Sequence, residues 1–191
     1  EMTPEAAEQA AKIFLQCRDQ GDKIDQLPNA CRPVTSEDGY QIQNAFLKLD
    51  GAFAMGWKVA ATNEKTQAML GISKPFAGLL PNTALSLSPI DIPAGTFVNP
   101  ALEGEFAVLL GSDLPKTTEP YDAESAMEAV VAVIPAIEIV DSRIGDRKAA
   151  GEKTLIAAGT VAGLVLGIPC TEWRNFTLSA HRVSLYIDNE L

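Results

Sequence analysis

Histidine and cysteine, the side chains that most often hold transition metals, are scarce in this chain. One histidine, His181, and three cysteines, Cys17, Cys31 and Cys170, occur in 191 residues, and no C-x-x-C pair is present. These counts disfavour zinc knuckles, thioredoxin-type sites and histidine-rich metal centres, and leave any Ser-His-Asp scheme dependent on His181 alone. We expect His181 to be structural or on the surface. We expect free thiols, with a Cys17–Cys31 disulfide as the alternative in an oxidising compartment.

Basic charge and long apolar runs are also lacking. Fifteen lysines and arginines stand against 25 acidic residues, so the formal net charge is −10. This balance argues against a nucleic-acid partner or an anionic membrane surface, but a small anionic substrate is compatible with it because a local cation can outweigh a diffuse field. No apolar run approaches the ~20 residues of a membrane helix. We predict a cytoplasmic protein, or a periplasmic one if a signal peptide was removed before Glu1.

The composition of the whole chain, 47% hydrophobic and 21% charged residues, is typical of a globular protein. We predict one domain over residues 1–191, with a helical region at 1–50 and a β-rich core at 51–191. Helix-start signals at Thr3-Pro4 and at the capping box Thr35-Ser36-Glu37-Asp38 support the helical region. Further elements follow in order: a strand at 55–60, a helix from Thr62 to Gly71, strands at 78–80, 103–110 and 130–140, a helix from Asp122 to about Val130, and strands at 160–166 and 178–187.

Two glutamates lie on the strand predicted at 103–110, which ends in an apolar run that we expect to be buried. Because side chains two residues apart on a strand point the same way, Glu103 and Glu105 share one face. A third glutamate, Glu138, interrupts the apolar run 130–140, where an ionised carboxylate requires a partner, a metal or a proton.

Three converging carboxylates repel one another, and a hard divalent cation such as Mg²⁺, Mn²⁺ or Ca²⁺ removes that conflict. The spacing predicts such a site, but Glu-x-Glu is a common pattern. The alternative is that Glu103 and Glu105 lie on a solvated strand face and that Glu138 lies at an edge.

Two cations accompany these strands. Lys58 shares a strand face with Gly56 and Ala60, whose small side chains leave room for it to reach into a pocket. From spacing alone a surface lysine on a half-exposed strand is favoured. Arg143 follows the Glu138 run, and we expect it to form a structural ion pair with Asp141 or a neighbouring carboxylate.

Six stretches, taken together and in order, resemble one enzyme family. They are Gly39-Tyr40-Gln41-Ile42-Gln43, Gly56-Trp57-Lys58-Val59, Leu70-Gly71-Ile72, Gly78-Leu79-Leu80, Leu102-Glu103-Gly104-Glu105-Phe106-Ala107-Val108 and Pro135-Ala136-Ile137-Glu138-Ile139-Val140-Asp141-Ser142-Arg143. In these stretches the chain resembles the 2-keto-4-pentenoate hydratase and 4-oxalocrotonate decarboxylase family of the fumarylacetoacetate hydrolase superfamily. Members of that family usually continue past residue 191, so we expect a C-terminal part to be missing.

The resemblance implies an α+β fold, a mixed β-roll of the fumarylacetoacetase C-terminal-domain type with an N-terminal helical region. It implies Mg²⁺ (or Mn²⁺) held by Glu103, Glu105 and Glu138, with Lys58 catalytic and Thr160 substrate-binding. The implied activity is that of a divalent-metal-dependent lyase, a hydratase or decarboxylase, which acts on a small anionic 2-oxo or 2-hydroxydienoate acid through a metal-stabilised enolate. A place in aromatic compound catabolism and assembly as a homo-oligomer are implied as well.

Three features depart from the family pattern. Phe76 follows Pro75 where hydratases carry an acid, Ala157-Ala158 replaces an Asp-Asn pair, and the C-terminal contribution to the pocket is lacking. The absent acid weakens the hydratase assignment more than the decarboxylase one. The alternatives are therefore a C–C bond hydrolase of the same superfamily, or a non-catalytic homologue that keeps the fold and binds a ligand or partner.

Overall fold

The computed structural model describes residues 2–190, which divide into two compact units. The first unit contains the chain up to Leu85 together with 92–101 and 139–163. The second contains 86–91, 102–138 and the chain from Leu164 onward. Helices and strands are both present, as the predicted α+β class requires, while the mixed β-roll stays a prediction. A single domain over 1–191 stays a prediction.

The helical pair predicted for the first fifty residues is present as α1 (Pro4–Gln20) and α2 (Ser36–Leu49). Thr3 caps α1 by accepting a hydrogen bond from the Ala6 N–H, and the second helix begins at the predicted capping box. The helices bury small side chains, which allow close packing, around larger ones. This core consists of Ala7, Ala10, Ala11, Phe14, Leu27, Cys31, Ile42, Ile144, Ala150 and Ala157. Its cysteine, like Cys17 and Cys170, carries a free thiol, as predicted.

The rest of the first unit surrounds an antiparallel strand pair. It comprises β1 (Ala54–Ala60), α3 (Glu64–Leu70), β2 (Phe76–Pro81), α5 (Arg147–Ala150) and α6 (Glu152–Ala157). The two strands pair with Lys58 opposite Gly78. On the other face of β1, Trp57 is 59% exposed.

Gln43 joins three parts of this unit from a position that is 0% exposed. Its amide N–H groups donate to the carbonyl oxygens of Ala77 and Ile156, 3.0 and 2.7 Å away. Its amide oxygen accepts from the Leu79 N–H at 2.7 Å. One side chain thereby links α2 to β2 and to α6.

The second unit contains most of a four-stranded sheet and one helix. These elements are β3 (Leu85–Leu87), β4 (Ala101–Leu110), α4 (Ala123–Glu128), β5 (Val130–Val140) and β6 (Gly163–Leu166). The strand order in the sheet is β3-β6-β5-β4. Trp173, which is 2% exposed, packs with Val130 and Val133. In this order β4 lies at one edge, directly beside β5.

Four sequence-based predictions about these elements are wrong. The apolar run that ends β4 is exposed rather than buried, because β4 is an edge strand. The helix after Asp122 ends at Glu128, before the β-branched pair that begins β5.

The other two corrections concern the C-terminal third of the chain. Thr160 precedes its predicted strand, since β6 begins only at Gly163. The region 178–187 is not a strand: a 3₁₀ turn at Leu178–Ala180 is followed by irregular chain. Asp188 and Asn189 form a turn, with both residues in the left-handed region. Within 2–190 no helix combines the length and apolar character needed to span a bilayer, and the compartment stays a prediction.

Candidate metal centre

Three carboxylates meet where β4 lies beside β5. Glu103 and Glu105 project from one face of β4 because they are two residues apart, and Glu138 projects from β5. One oxygen from each can be chosen so that all three oxygens lie within 4.8 Å of one another. The sequence-based expectation that these side chains converge is therefore met, whereas their role as metal ligands stays a prediction.

The burial of the three glutamates is graded. Glu103 is exposed and Glu105 half-buried, whereas Glu138 is 3% exposed. Acidic clusters on a surface are common without any ligand, but a carboxylate withdrawn from water and placed beside two others is costly. Hard oxygen donors around a small space suit a hard divalent cation. The chemistry of the donor set thus fits Mg²⁺, Mn²⁺ or Ca²⁺.

The other two predicted site residues, Lys58 and Thr160, are found together in the first unit. Lys58 is half-buried and lies opposite Gly78, so both point to the same face of the β1–β2 pair. The peptide carbonyl of Gly159 crosses that face so closely that a Cβ added at Gly78 would lie 1.9 Å from its oxygen.

Thr160 comes directly after this carbonyl. Its hydroxyl oxygen is buried and has no hydrogen-bond partner among the described residues. A buried hydroxyl normally has a partner, so a ligand oxygen would satisfy it. The residue that carries this hydroxyl therefore directly follows the peptide that contacts Gly78, although Thr160 is not on a strand.

The two apolar departures from the family pattern are packed into this unit. Phe76 packs against the cluster of Ala61, Leu70, Ile72 and Leu155. Ala157 is 2% exposed in the core between the helices. An acidic side chain at either position would place a charge among apolar side chains, which is costly. The packing around both positions therefore suits the apolar residues that the chain has there.

His181 is exposed at the surface, which agrees with the prediction of a structural or surface histidine. Its ring makes edge contacts with Phe106 and Phe176, with centroids 6.0 and 5.7 Å away. A cavity of about 410 Å³ in the second unit lies beside these rings and is lined by Pro135 and Ile137 among others. No motif in the sequence indicates this cavity.

Asp141, which the sequence indicated only as one of the possible ion-pair partners of Arg143, makes further contacts in the structure. Its carboxylate is buried and accepts hydrogen bonds from the N–H groups of Val98 and Asn99. It also pairs with the Arg143 guanidinium, as predicted. Burial alone would raise the pKa of Asp141, but these hydrogen bonds and the nearby positive charge outweigh it and lower the pKa.

Comparison with known proteins gives matches in both sequence and structure. No family model matches the chain. The chain is 32% identical over 148 residues to the 2-keto-4-pentenoate hydratase of Paraburkholderia xenovorans (strain LB400), with 76% of this chain and 54% of that protein covered. It is 30% identical over 154 residues to the 2-hydroxyhexa-2,4-dienoate hydratase of Comamonas testosteroni, with 77% and 57% covered.

The fold is that of a solved decarboxylase. The 4-oxalocrotonate decarboxylase from Pseudomonas putida G7, complexed with magnesium and adipate, superposes with a TM-score of 0.78 at 19% identity. The match covers 91% of this chain and 67% of that one. The same enzyme complexed with calcium and acetate gives a TM-score of 0.76.

These comparisons confirm the resemblance to the 2-keto-4-pentenoate hydratase and 4-oxalocrotonate decarboxylase family that the sequence motifs indicated. The chain spans little more than half the length of the curated relatives that it matches.

Proposed function

Because this chain is a homologue of the 2-keto-4-pentenoate hydratases, we propose that it is a divalent-metal-dependent lyase acting on a small 2-oxo or 2-hydroxydienoate acid. The observation that carries the proposal is the convergence of Glu103, Glu105 and Glu138 within 4.8 Å, with the last of them buried. These three carboxylates would hold Mg²⁺ or Mn²⁺. Bound there, the cation would supply Lewis acidity toward the oxygens of a 2-oxo acid.

Two further side chains, Lys58 and Thr160, would bind the substrate and assist the reaction. The Lys58 ammonium would bind the substrate carboxylate or move a proton at the substrate carbon. The Thr160 hydroxyl, which is buried without a protein partner among the described residues, would donate a hydrogen bond to a substrate oxygen. Lys58 shares a strand face with Gly78, where the absence of a side chain leaves room for the Gly159 peptide that precedes Thr160.

Hydration and decarboxylation differ in what they require of this site. Addition of water needs a group that orients or deprotonates the water, whereas loss of CO₂ needs mainly stabilisation of the negative charge that develops. Phe76 and Ala157 offer neither an acid nor a base at two positions where the family pattern has polar residues. This favours decarboxylation, while the names of the relatives favour hydration, so the proposal is the lyase class that includes both.

Finer features belong to the same proposal. The sheet and helices would form a mixed β-roll of the fumarylacetoacetase type within a single catalytic-type domain. The protein would form a homo-oligomer and act in aromatic compound catabolism. The fold match supports the assignment of the roll. The homo-oligomer and the catabolic role follow from the family resemblance alone.

The test begins with metal binding. Calorimetric titration with Mn²⁺, followed by oxalate as a mimic of an enolised 2-oxo acid, is compared in the wild type, Glu138→Gln and Glu128→Gln. The first variant removes a charge from the cluster and the second removes the same charge from an exposed position at the end of α4. We expect Mn²⁺ and metal-dependent oxalate binding in the wild type and Glu128→Gln, with both lost in Glu138→Gln.

Turnover then distinguishes an enzyme from a binding protein. We expect metal-dependent consumption of 2-hydroxypenta-2,4-dienoate or of 4-oxalocrotonate. Oxalate binding without turnover of either acid would favour the second candidate, a non-catalytic homologue, for which the apolar residues Phe76 and Ala157 are the specific observation. Absence of Mn²⁺ binding in the wild type would refute the metal site itself.

A further inference from the structure

A buried carboxylate joins the two segments that carry the glutamate cluster. Asp141 Oδ2 accepts from the Val98 N–H at 3.0 Å, and Oδ1 accepts from the Asn99 N–H at 3.1 Å. Its side chain is 1% exposed. Both carboxylate oxygens are thus used to hold backbone that lies more than 40 residues away in sequence.

The position of Asp141 is itself fixed by Arg143. The guanidinium pairs with Asp141 Oδ2, and the Arg143 side chain is only 12% exposed. The Arg143 backbone is held as well, since its carbonyl accepts a hydrogen bond from the Ile24 N–H. Ile24 and Ile144 also form a parallel bridge. The clamp of Asp141, Arg143, Val98 and Asn99 is therefore anchored outside β4 and β5.

The clamp lies at the start of one strand and the end of the other. Asn99 comes two residues before the first residue of β4, and Asp141 follows the last residue of β5. Beyond the other end of β4, the Gly111 N–H donates to the Ala129 carbonyl just before β5. The two neighbouring strands are consequently tied together at both ends.

Register between these strands decides whether the glutamates meet. Side chains alternate between faces, so a slip of one residue would turn Glu103 and Glu105 away from Glu138. The apolar residues of β4 oppose it weakly, because they are largely exposed at the sheet edge.

We propose that Asp141 is a positioning residue, which, held by Arg143, fixes the register of β4 against β5 and thereby preorganises the three carboxylates for a divalent cation. This inference rests on the proposed metal site and adds a residue that is not one of the three proposed ligands. Groups that orient metal ligands typically change affinity by about 10- to 100-fold when they are removed.

The experiment compares Asp141→Asn with Asp38→Asn. Asp38 is a matched control because it is 1% exposed and its carboxylate accepts hydrogen bonds from three backbone N–H groups, those of Met2, Val34 and Thr35. Mn²⁺ affinity is measured by calorimetry and unfolding by urea titration. We expect both variants to lose stability, but only Asp141→Asn to lose Mn²⁺ affinity, by about tenfold or more.

A second readout does not depend on the metal. Hydrogen–deuterium exchange in the metal-free protein should become faster over residues 98–106 in Asp141→Asn and stay unchanged there in Asp38→Asn. Arg143→Lys keeps the charge but replaces the planar guanidinium with a single ammonium group. We therefore expect a smaller loss of Mn²⁺ affinity and a smaller increase in exchange over residues 98–106. This milder variant provides the measurement if Asp141→Asn does not fold.

The outcomes separate this inference from the proposed function. If the wild type binds Mn²⁺ through Glu138 and the Asp141 and Arg143 variants bind it equally well, the positioning role is refuted while the metal site stands. Unchanged exchange over 98–106 refutes it too. If the wild type does not bind Mn²⁺, the proposed function fails and the positioning role fails with it.

Discussion

Lys58 and Gly78 face each other across the antiparallel pair of β1 and β2. The site opposite the lysine has to be a glycine because the carbonyl oxygen of Gly159 occupies the space of a side chain. Thr160 directly follows the peptide that makes this close approach. A requirement of the backbone thus determines which chain segment crosses the strand face that carries the lysine.

Replacement of Gly78 should strongly destabilise the protein. In Gly78→Ala the new methyl group would lie 1.9 Å from a backbone oxygen, so the strand or the 159–160 segment must move. We expect the free energy of unfolding to fall by about 3 kcal/mol or more, at the upper end for overpacking. Gly56→Ala, on the same strand face as Lys58, meets nothing within 4 Å and should cost little. Urea denaturation measures both, and equal stabilities would contradict the close approach.

Loss of the buried amide at Gln43 should also destabilise the first unit. Gln43→Leu keeps the volume but leaves the Leu79 N–H and the carbonyl oxygens of Ala77 and Ile156 without their partner. An unsatisfied buried group costs about 1–3 kcal/mol, so we expect a loss of about 3 kcal/mol or more for the three together. The neighbouring Asn44→Ala removes an exposed hydrogen bond and should change stability by less than about 0.5 kcal/mol. A Gln43→Leu variant as stable as Asn44→Ala would show that these bonds contribute nothing.

Low pH should remove the contribution of the Asp38 carboxylate to the stability of the fold. Burial alone would raise the pKa of its carboxyl, but hydrogen bonds from the N–H groups of Val34, Thr35 and Met2 outweigh burial and hold the pKa below its ordinary value of 3.8. A carboxyl whose folded pKa is lowered stabilises the fold above its unfolded pKa, and this stabilisation is lost as the pH falls through the folded pKa. The stability difference between the wild type and Asp38→Asn should therefore be constant from about pH 5 upward and shrink below about pH 4. Urea titrations across this range test the prediction, and a difference that grows in acid would contradict it.

The buried thiols should be unreactive in the native protein. Burial raises the pKa of both Cys17 and Cys31, and Asp22 raises that of Cys17 further. Because the thiolate is the nucleophile, a raised pKa and poor access both slow its reaction. With a disulfide reagent we expect one thiol, the half-buried Cys170, to react first, and all three to react in urea. A Cys170→Ser variant should lack the early phase, and rapid reaction of two thiols in that variant would contradict the buried positions.

The helical region could be predicted from the sequence because its signals are local. Thr3 and Gly21 mark the limits of α1, and the capping box at Thr35 marks the start of α2. Such caps depend on residues within one turn, so the spacing alone specifies them. The shared face of Glu103 and Glu105 was predictable for the same reason, since a strand has a period of two.

The other features of the fold and of the candidate site depend on contacts between distant segments, which residue spacing does not encode. An apolar run does not distinguish a central strand from an edge strand, which is why the exposure of β4 was not predicted. Thr160 was assigned to a strand because its neighbours are apolar, yet the Gly159 N–H bonds back to the Ile156 carbonyl and turns the chain first. The hydrogen bonds from Val98 and Asn99 to Asp141 join distant segments, and no motif announces them.

The chain has two tryptophans, and they lie in different compact units. Trp57 on β1 is largely exposed to solvent, whereas Trp173 is buried and packs against Val130 and Val133. In a Trp57→Phe variant the emission comes from an enclosed indole and should shift to the red when the second unit unfolds. In a Trp173→Phe variant the emission is already near that of water-exposed indole, so its change reports on the first unit. Two single-tryptophan proteins therefore give a spectroscopic measure of whether both units melt in one cooperative transition.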